Sequence, residues 1–142
     1  MSETIIIGSD HAAYELKDKI AEYLKDKGVN VKDVGTFSGD SVNYPDYAAQ
    51  VAEAVEKKEC DRGILLCGTG LGMSMAANRY KGIRAALCND IFSAKMSRMH
   101  NNSNVLVLGG RVVGDILAME IVETWMETAF EGGRHQTRLD LF

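Results

Sequence analysis

The segment Cys67-Gly68-Thr69-Gly70-Leu71-Gly72, called here the cysteine loop, joins one thiol to glycines at alternate positions. Such glycines let successive backbone N–H groups converge on one anion, and a helix that starts after them adds positive potential. The same surroundings favour the thiolate form of a cysteine, which acts as a base or a nucleophile. A buried cysteine at the end of a strand, followed by a tight turn, produces the same pattern. The loop alone leaves both interpretations open.

Three familiar phosphate-binding motifs do not match the cysteine loop. A dinucleotide-binding GxGxxG motif needs a glycine where the chain has Met73, and no Gly-Lys-Ser/Thr of a P-loop follows. A cysteine phosphatase needs an arginine near the same position. The sequence therefore predicts an amide-rich pocket beside a single thiol.

The histidines His11, His100 and His135 are too far apart for an HxxxH or HxH pair of metal ligands on one element. The carboxylates near the predicted strand ends, Asp10 and Asp90, are too few for an oxygen cage. We therefore predict neither a metal nor another cofactor. A histidine taken alone is as easily a hydrogen-bonded structural residue as a functional one.

The arginines Arg111, Arg134 and Arg138 form a local excess of positive charge. Arg134 and Arg138 are four apart, so one helical turn presents both to the same ligand. Arginine binds phosphate oxygens in bidentate fashion. The last two belong to a polar, basic, glycine-hinged tail, residues 131–142, which we do not expect in the core. A solvated tail with casual ion pairs is the alternative.

Short apolar runs alternate with helical periodicity along the whole chain. Most predicted strands are continuous apolar runs, which suit a parallel sheet covered on both faces; they are Thr4–Gly8, Asn30–Asp33, Gly63–Cys67, Ile83–Leu87 and Val105–Leu108. This alternation predicts an α/β fold: one three-layer α/β/α Rossmann-like domain over residues 1–142, with a five-stranded, mostly parallel sheet.

The predicted helices carry apolar stripes that we assign to the core. The stripes are Leu16/Ile20/Leu24 before a capping Gly28, Ala48/Val51/Ala52/Val55 after Pro45, a small-residue helix from Gly70 to Asn78, Phe92/Met96/Met99, and Leu117/Ile121/Trp125. Ligands bind outside the carboxyl ends of strands in open α/β sheets. Ser9-Asp10-His11 and the cysteine loop follow predicted strands, and we also assign His100, beside the fifth strand, to the functional strand ends.

Composition excludes several classes of function. The 142 residues are 46% hydrophobic and 25% charged, with a formal net charge of −4, which argues against binding to nucleic acid or an anionic membrane. No apolar run reaches the roughly 18 residues of a membrane span. Three scattered cysteines and an N-terminus without a basic or cleavage-like segment lead us to expect a cytoplasmic protein.

Seven motifs occur in an order that resembles the B-type ribose-5-phosphate isomerase family, which also contains galactose-6-phosphate isomerase subunits and allose-6-phosphate isomerases. They are Gly8-Ser9-Asp10-His11, Asn43-Tyr44-Pro45, the cysteine loop, Ala76-Ala77-Asn78, His100 to Leu106, Gly110-Arg111-Val112-Val113-Gly114 and Glu131-Gly132-Gly133-Arg134-His135. The resemblance implies carbohydrate metabolism in the pentose phosphate pathway, with ribose 5-phosphate and ribulose 5-phosphate as the substrate pair. It also implies a homodimer or tetramer with active sites shared between subunits.

The resemblance further implies a role for each candidate residue. Asp10 and His100 would assist ring opening, Cys67 would move the proton between C2 and C1, and Thr69 would relay the hydroxyl proton. The substrate contacts would be Asp10, His11, Tyr44, Gly68, Thr69, Gly70, Leu71, Gly72, Asn101, Arg111, Arg134 and Arg138. One branch of the family uses the cysteine at position 67 as its base and another uses a glutamate where this chain has Met73. This chain resembles the cysteine branch.

Two alternatives remain open from the sequence. A hexose-6-phosphate isomerase of the same family, acting on allose or galactose 6-phosphate, would need only a roomier pocket. A non-catalytic sugar-phosphate-binding protein could keep the arginines, but the simultaneous presence of Cys67, Thr69 and His100 argues against it.

Overall fold

A computed structural model describes residues 2–142 of the chain. Strands and helices alternate from β1 to α5, and a short sixth helix follows. The elements are β1 (Thr4–Ser9), α1 (Tyr14–Asp26), β2 (Asn30–Asp33), α2 (Tyr44–Glu56), β3 (Arg62–Cys67), α3 (Leu71–Ala77), β4 (Ala85–Leu87), α4 (Ile91–Met99), β5 (Val105–Gly109), α5 (Asp115–Glu127) and α6 (Arg134–Leu139).

The five strands form one sheet in the order β2-β1-β3-β5-β4, and every neighbouring pair is parallel. The predicted α/β fold is therefore confirmed, with a sheet that is wholly rather than mostly parallel. Parallel strands need long crossover connections, which the helices supply. All carboxyl ends consequently lie along one edge of the sheet and all amino ends along the other.

The two faces of the sheet carry separate apolar cores, because successive side chains of a strand point to opposite faces. Ile5, Ile7, Ile64 and Leu66 pack with α1, α4 and α5, including the fully buried Trp125. On the other face, strand residues including Ile6, Leu65 and Cys67 pack with α2 and α3. The thiol of Cys67 therefore lies on the face covered by α2 and α3.

Local signals set most of the element boundaries as predicted. Pro45 lies in the first turn of α2, where its missing N–H costs nothing. Gly28 follows the end of α1 with φ +83°, a conformation that glycine adopts without a steric penalty. β4 is shorter than predicted: Ile83 and Arg84 precede it as loop residues.

Two predicted core stripes and the predicted tail are partly wrong. Phe92 is 72% exposed, and α4 instead buries the small side chains of Ala94 and Ser97. Leu117 is exposed, and α5 packs through Ala118, Ile121, Val122 and Trp125. The tail is helical in α6, which buries His135 and Leu139. Periodicity marks which side chains share a helix face, whereas the neighbouring elements decide which face is covered.

Across residues 2–142, no helix has the length and apolar character that a membrane span requires.

Candidate active site

The sheet has its topological switch point between β1 and β3. The chain leaves β1 towards β2 on one side and then crosses over to β3 on the other side. Crossovers that depart in opposite directions leave a crevice at the carboxyl ends of the two strands. Asp10 follows β1 at this crevice and Cys67 ends β3 there, with Ser9 and Leu66 paired just below them.

The cysteine loop folds back on its own thiol. The Gly70 N–H donates a hydrogen bond to Cys67 Sγ at 3.2 Å, and the Leu71 N–H donates to Thr69 Oγ1 at 3.2 Å. The N–H groups of Gly68 and Thr69 have no hydrogen-bond partner among residues 2–142. The loop amides therefore do not all point at one anion. The Gly70 N–H binds the sulfur and the Leu71 N–H binds the threonine hydroxyl, so the other two N–H groups remain available to a ligand. Cys67 is only 5% exposed, whereas Thr69 faces solvent.

At two positions of the cysteine loop, neighbouring side chains lie so close to the backbone that only glycine fits. Gly70 has φ +83°, and a Cβ atom there would lie 2.5 Å from Leu87 Cδ1. A Cβ atom on Gly72 would lie 2.8 Å from the hydroxyl oxygen of Tyr44, so the tyrosine ring packs directly on the backbone of the loop. The alternating glycines predicted an anion-binding loop from the sequence. The structure shows that Gly70 and Gly72 are also required for close packing.

The ends of β1 and β5 complete this edge. Asp10 Oδ1 accepts a hydrogen bond from the Ala12 N–H at 3.0 Å. His11 Nδ1 accepts one from the Val42 N–H at 3.2 Å, which assigns the ring proton to Nε2. The Arg111 N–H donates to the Gly68 carbonyl at 2.9 Å, and the arginine side chain extends beside Gly68. Asp10, His11, Tyr44, residues 67–72 and Arg111 form the carboxyl-edge cluster.

A buried lysine that we did not single out in the sequence supports the carboxyl-edge cluster. Lys17 on α1 is fully buried, and its Nζ lies 2.7 Å from an Asp33 carboxylate oxygen. Asp33 also accepts from the Gly35 N–H at 2.9 Å, and the Gly35 carbonyl accepts from the Ser9 N–H at 2.7 Å. The signal was present, since Lys17 falls on the same helix face as Ile20 and interrupts an otherwise apolar stripe.

His100 lies at the opposite edge of the sheet, contrary to its assignment to the functional strand ends. It caps the C-terminus of α4 and precedes Val105, the amino end of β5. Val105 to Gly109 spans four residue steps, about 13 Å at 3.3 Å per residue. The prediction failed because a helix that follows one parallel strand returns to the amino end of the next. His100, Asn101, Glu131, Arg134, His135 and Arg138 form the amino-edge cluster.

The amino-edge cluster is built around two stacked imidazoles. The rings of His100 and His135 lie 4.2 Å apart between centroids with an interplanar angle of 15°. Glu131 Oε1 lies 3.5 Å from His100 Nε2 and 3.6 Å from His135 Nε2. Burial lowers the pKa of His135, and the positive potentials of His100 and Arg134 act in the same direction. The sequence did not indicate that Glu131 and His135 meet His100, since 35 positions separate the two histidines.

Hydrogen bonds along the chain hold this cluster in place. The Glu131 N–H donates to the Met99 carbonyl at 3.0 Å, which ties the tail to the end of α4. Arg98 Nε donates to the Thr128 carbonyl at 3.1 Å, which ties α4 to the end of α5. Asn101, Arg134 and Arg138 are exposed. The structure thus places the predicted site residues in two groups at opposite edges of the sheet.

The fold and the carboxyl-edge cluster define a class: α/β proteins with a thiol and a glycine-rich loop at the switch point of a parallel sheet. The Ribose/Galactose Isomerase family matches residues 5–142. The chain is 51% identical over 136 residues to the ribose-5-phosphate isomerase B of Escherichia coli K12, covering 96% of this chain and 91% of that protein.

Solved structures of ribose-5-phosphate isomerases are also similar to this chain in sequence and fold. A ribose 5-phosphate isomerase from Thermotoga maritima is 55% identical with a TM-score of 0.97, covering 99% of this chain and 97% of that one. The ribose-5-phosphate isomerase B of Mycoplasma genitalium, solved with bound ribulose-5-phosphate, is 46% identical with a TM-score of 0.95, covering 99% and 94%. The chain belongs to the Ribose/Galactose Isomerase family.

Proposed function

We propose that this protein interconverts ribose 5-phosphate and ribulose 5-phosphate by metal-free proton transfer through an enediolate. One observation carries the proposal: in a chain of this family, the sulfur of Cys67 lies at the switch point with the Gly70 N–H 3.2 Å away, and the Gly68 and Thr69 N–H groups of the same loop have no partner among residues 2–142. A thiolate base beside unpaired amides suits a reaction that moves a proton while negative charge builds on an adjacent oxygen.

The proposed steps conserve protons and electrons. Cys67 as thiolate takes the proton from C2, the C–H electron pair forms the C1–C2 double bond, and the carbonyl electrons move onto O1. The Gly68 and Thr69 N–H groups stabilise that oxyanion, and Thr69 relays the hydroxyl proton from O2 to O1. As the O2 carbonyl forms, C1 takes the proton back from the Cys67 thiol, which regenerates the thiolate.

Ring opening and phosphate binding use the remaining candidates. Asp10 and His100 act on the closed sugar, with His100 donating a proton to the ring oxygen, and Asn101 and Tyr44 contact the hydroxyl groups. The phosphate is bound by the imidazole Nε2–H of His11 and by Arg111, Arg134 and Arg138. Guanidinium groups suit this task because they pair with phosphate oxygens in bidentate fashion.

We propose that each active site is shared between two copies of the chain, in a homodimer or a larger even-numbered assembly. Within one chain, Cys67 and His100 lie at opposite edges of the sheet, so a single copy does not bring them to one sugar. Large apolar side chains are exposed where α3, α4 and α5 begin, around the carboxyl-edge cluster: Leu71, Met75, Phe92, Val112 and Ile116. Exposed apolar groups of this kind mark association surfaces. The amino-edge cluster of a second copy would complete the site there.

The reaction is tested with EDTA-treated protein and ribose 5-phosphate, following ribulose 5-phosphate, with allose 6-phosphate in a parallel assay. Turnover of the pentose without metal supports the proposal. Turnover of the hexose alone would assign the hexose-phosphate reaction instead, and ligand binding without turnover of either would contradict an enzymatic role.

Shared sites are tested by mixing two inactive variants, Cys67→Ala and His100→Ala, after unfolding and refolding them together. Half of randomly formed dimers contain one copy of each, and one of their two sites joins an intact Cys67 to an intact His100. Symmetric pairing therefore predicts recovery of about one quarter of wild-type activity. A mixture as inactive as its components would show that each site is confined to one chain.

A further inference from the structure

The amino-edge cluster places two side chains that have no function in the proposed reaction, Glu131 and His135, beside His100. His100, Glu131 and His135 each direct one ligand atom inward, and these atoms all lie within 4.8 Å of one another. Two imidazoles and one carboxylate are a set of ligands found at zinc sites, where water or a substrate oxygen takes the fourth position.

The distances from the carboxylate oxygen to the two ring nitrogens are close to those around a tetrahedral ion. Zinc bonded to nitrogen and oxygen at about 2.0–2.1 Å holds neighbouring ligand atoms about 3.3 Å apart. Glu131 Oε1 lies 3.5 Å from His100 Nε2 and 3.6 Å from His135 Nε2, slightly wider than those tetrahedral edges. Two nearly parallel imidazole rings cannot both point a nitrogen lone pair at one ion, so His100 has to turn out of its stack on His135 to bind. The side chains of His100 and Glu131 are 41% and 47% exposed, which leaves room for this rotation.

His135 would be the fixed member of the site. Its side chain is only 10% exposed and lies on α6, so burial limits its movement. Its lowered pKa keeps the imidazole neutral at neutral pH, which is the form that binds metal. Arg134 and Arg138 on the same helix oppose a cation, so the site is expected to bind more weakly than a structural zinc centre with four protein ligands.

We propose that His100, Glu131 and His135 form a binding site for a transition-metal cation of the zinc type, and that occupation of this site inhibits the enzyme. The inhibition rests on the proposed function, in which His100 donates a proton to the sugar ring. A metal ion on Nε2 would occupy the atom that must carry this proton. The metal site itself depends only on the three side chains.

The first measurement is Zn²⁺ affinity of the full, EDTA-treated and dialysed protein, by competition with a chromophoric chelator. Glu131→Gln and His135→Gln each remove one ligand. We expect each to weaken Zn²⁺ binding by at least about 10-fold, a loss that changes in the outer shell of metal sites already cause. Glu127→Gln, an exposed carboxylate change at the end of α5, is the matched control and should bind as wild type. Cys67→Ala, measured in parallel, tests the thiol as a competing ligand.

Loss of affinity in Glu131→Gln and His135→Gln, with wild-type affinity in Glu127→Gln and Cys67→Ala, supports the metal site. Equal affinity in all variants, or a loss confined to Cys67→Ala, overturns it. Glu131 is exposed, so its variant decides the question even if His135→Gln fails to fold.

The second measurement is ribose 5-phosphate turnover against free Zn²⁺. Half-inhibition at the Kd from the competition assay, shifted to higher Zn²⁺ in Glu131→Gln, supports the inhibitory role, and turnover unaffected at saturating Zn²⁺ overturns it. A wild type inactive without metal would overturn the proposed function and the inhibitory role with it, while the binding assay would still decide the site.

Discussion

The carboxyl-edge and amino-edge clusters are held in place by different means. At the carboxyl edge, backbone groups fix the reactive atoms: an amide donates to Cys67 Sγ, and the Gly70 and Gly72 backbones lie in close contact with Leu87 and Tyr44. At the amino edge, His100 after α4 meets side chains of the tail that are exposed apart from His135, and one hydrogen bond from the Glu131 N–H to the Met99 carbonyl ties the tail down. Backbone preorganisation suits proton transfer, which needs fixed geometry, and side chains that adjust suit capture of a phosphate.

This difference predicts that changes in the cysteine loop at the carboxyl edge act on proton transfer and stability, whereas changes to the exposed arginines at the amino edge act on phosphate binding. The largest effect is expected for Cys67→Ala, which removes the proposed base. General base catalysis contributes about 10²–10⁴-fold, so we expect kcat to fall by about that factor with substrate affinity retained. Steady-state kinetics and calorimetric titration with ribose 5-phosphate measure the two separately.

Cys88→Ala is the matched control for Cys67→Ala. Burial raises the pKa of Cys88 to about 11, so this thiol stays protonated and does not serve as a base. Its variant should keep its kcat. Nearly normal turnover in Cys67→Ala would contradict the thiolate mechanism and remove the reason to assign the proton transfer between C2 and C1 to the carboxyl edge.

Gly70→Ala tests how rigidly the loop backbone is held. The added Cβ meets Leu87 Cδ1 at 2.5 Å, and φ is +83°. A left-handed conformation costs an alanine about 1–2 kcal/mol and overpacking a further 1–3, so we expect a loss of about 3 kcal/mol in the free energy of unfolding. Gly68→Ala is the control: its Cβ meets nothing closer than 3.5 Å, and urea unfolding should give nearly the wild-type midpoint.

Arg138→Ala tests the amino edge. Hydrogen bonds to charged groups contribute about 1.5–3 kcal/mol, so losing one phosphate contact should raise KM by about 10-fold or more. The kcat should change little if the contact is equally strong in substrate and transition state. Arg79→Ala, an exposed arginine after α3, is the control. An unchanged KM in Arg138→Ala would remove this residue from the phosphate site.

The smallest effect is expected for the pH dependence of stability that the His100–His135 stack contributes. The pKa of His135 is lowered in the folded protein, mainly by burial, from the value of 6.5 of a free side chain. The unfolded chain therefore takes up a proton first as pH falls. Stability is complete above about pH 6.5 and declines as pH drops through the native pKa of His135. His135→Gln should flatten this decline in urea midpoints measured from pH 7.5 to 5.5, and an identical decline in both proteins would contradict it.

Most of the elements were predictable because their signals are local. The continuous apolar run Gly63–Cys67 indicates a strand buried on both faces, and Pro45 and Gly28 mark helix ends by backbone restriction. The apolar stripe of α4 was misassigned because Phe92 is exposed while Ala94 and Ser97 are buried. Hydrophobicity alone favoured the larger side chain, although the space available beneath α4 fits the smaller ones.

The sequence by itself determined the parallel α/β fold, the thiol beside an amide-rich loop, and the arginine pair four residues apart, because each depends on residues close together in the chain. Only the tertiary structure decided which of these meet. It brought Asp10 to Cys67 through strand pairing, stacked His135 on His100 across 35 positions, and placed the two clusters at opposite edges of the sheet. The reason is topological: parallel strands align their carboxyl ends at one edge, and every returning helix delivers its last residues to the other.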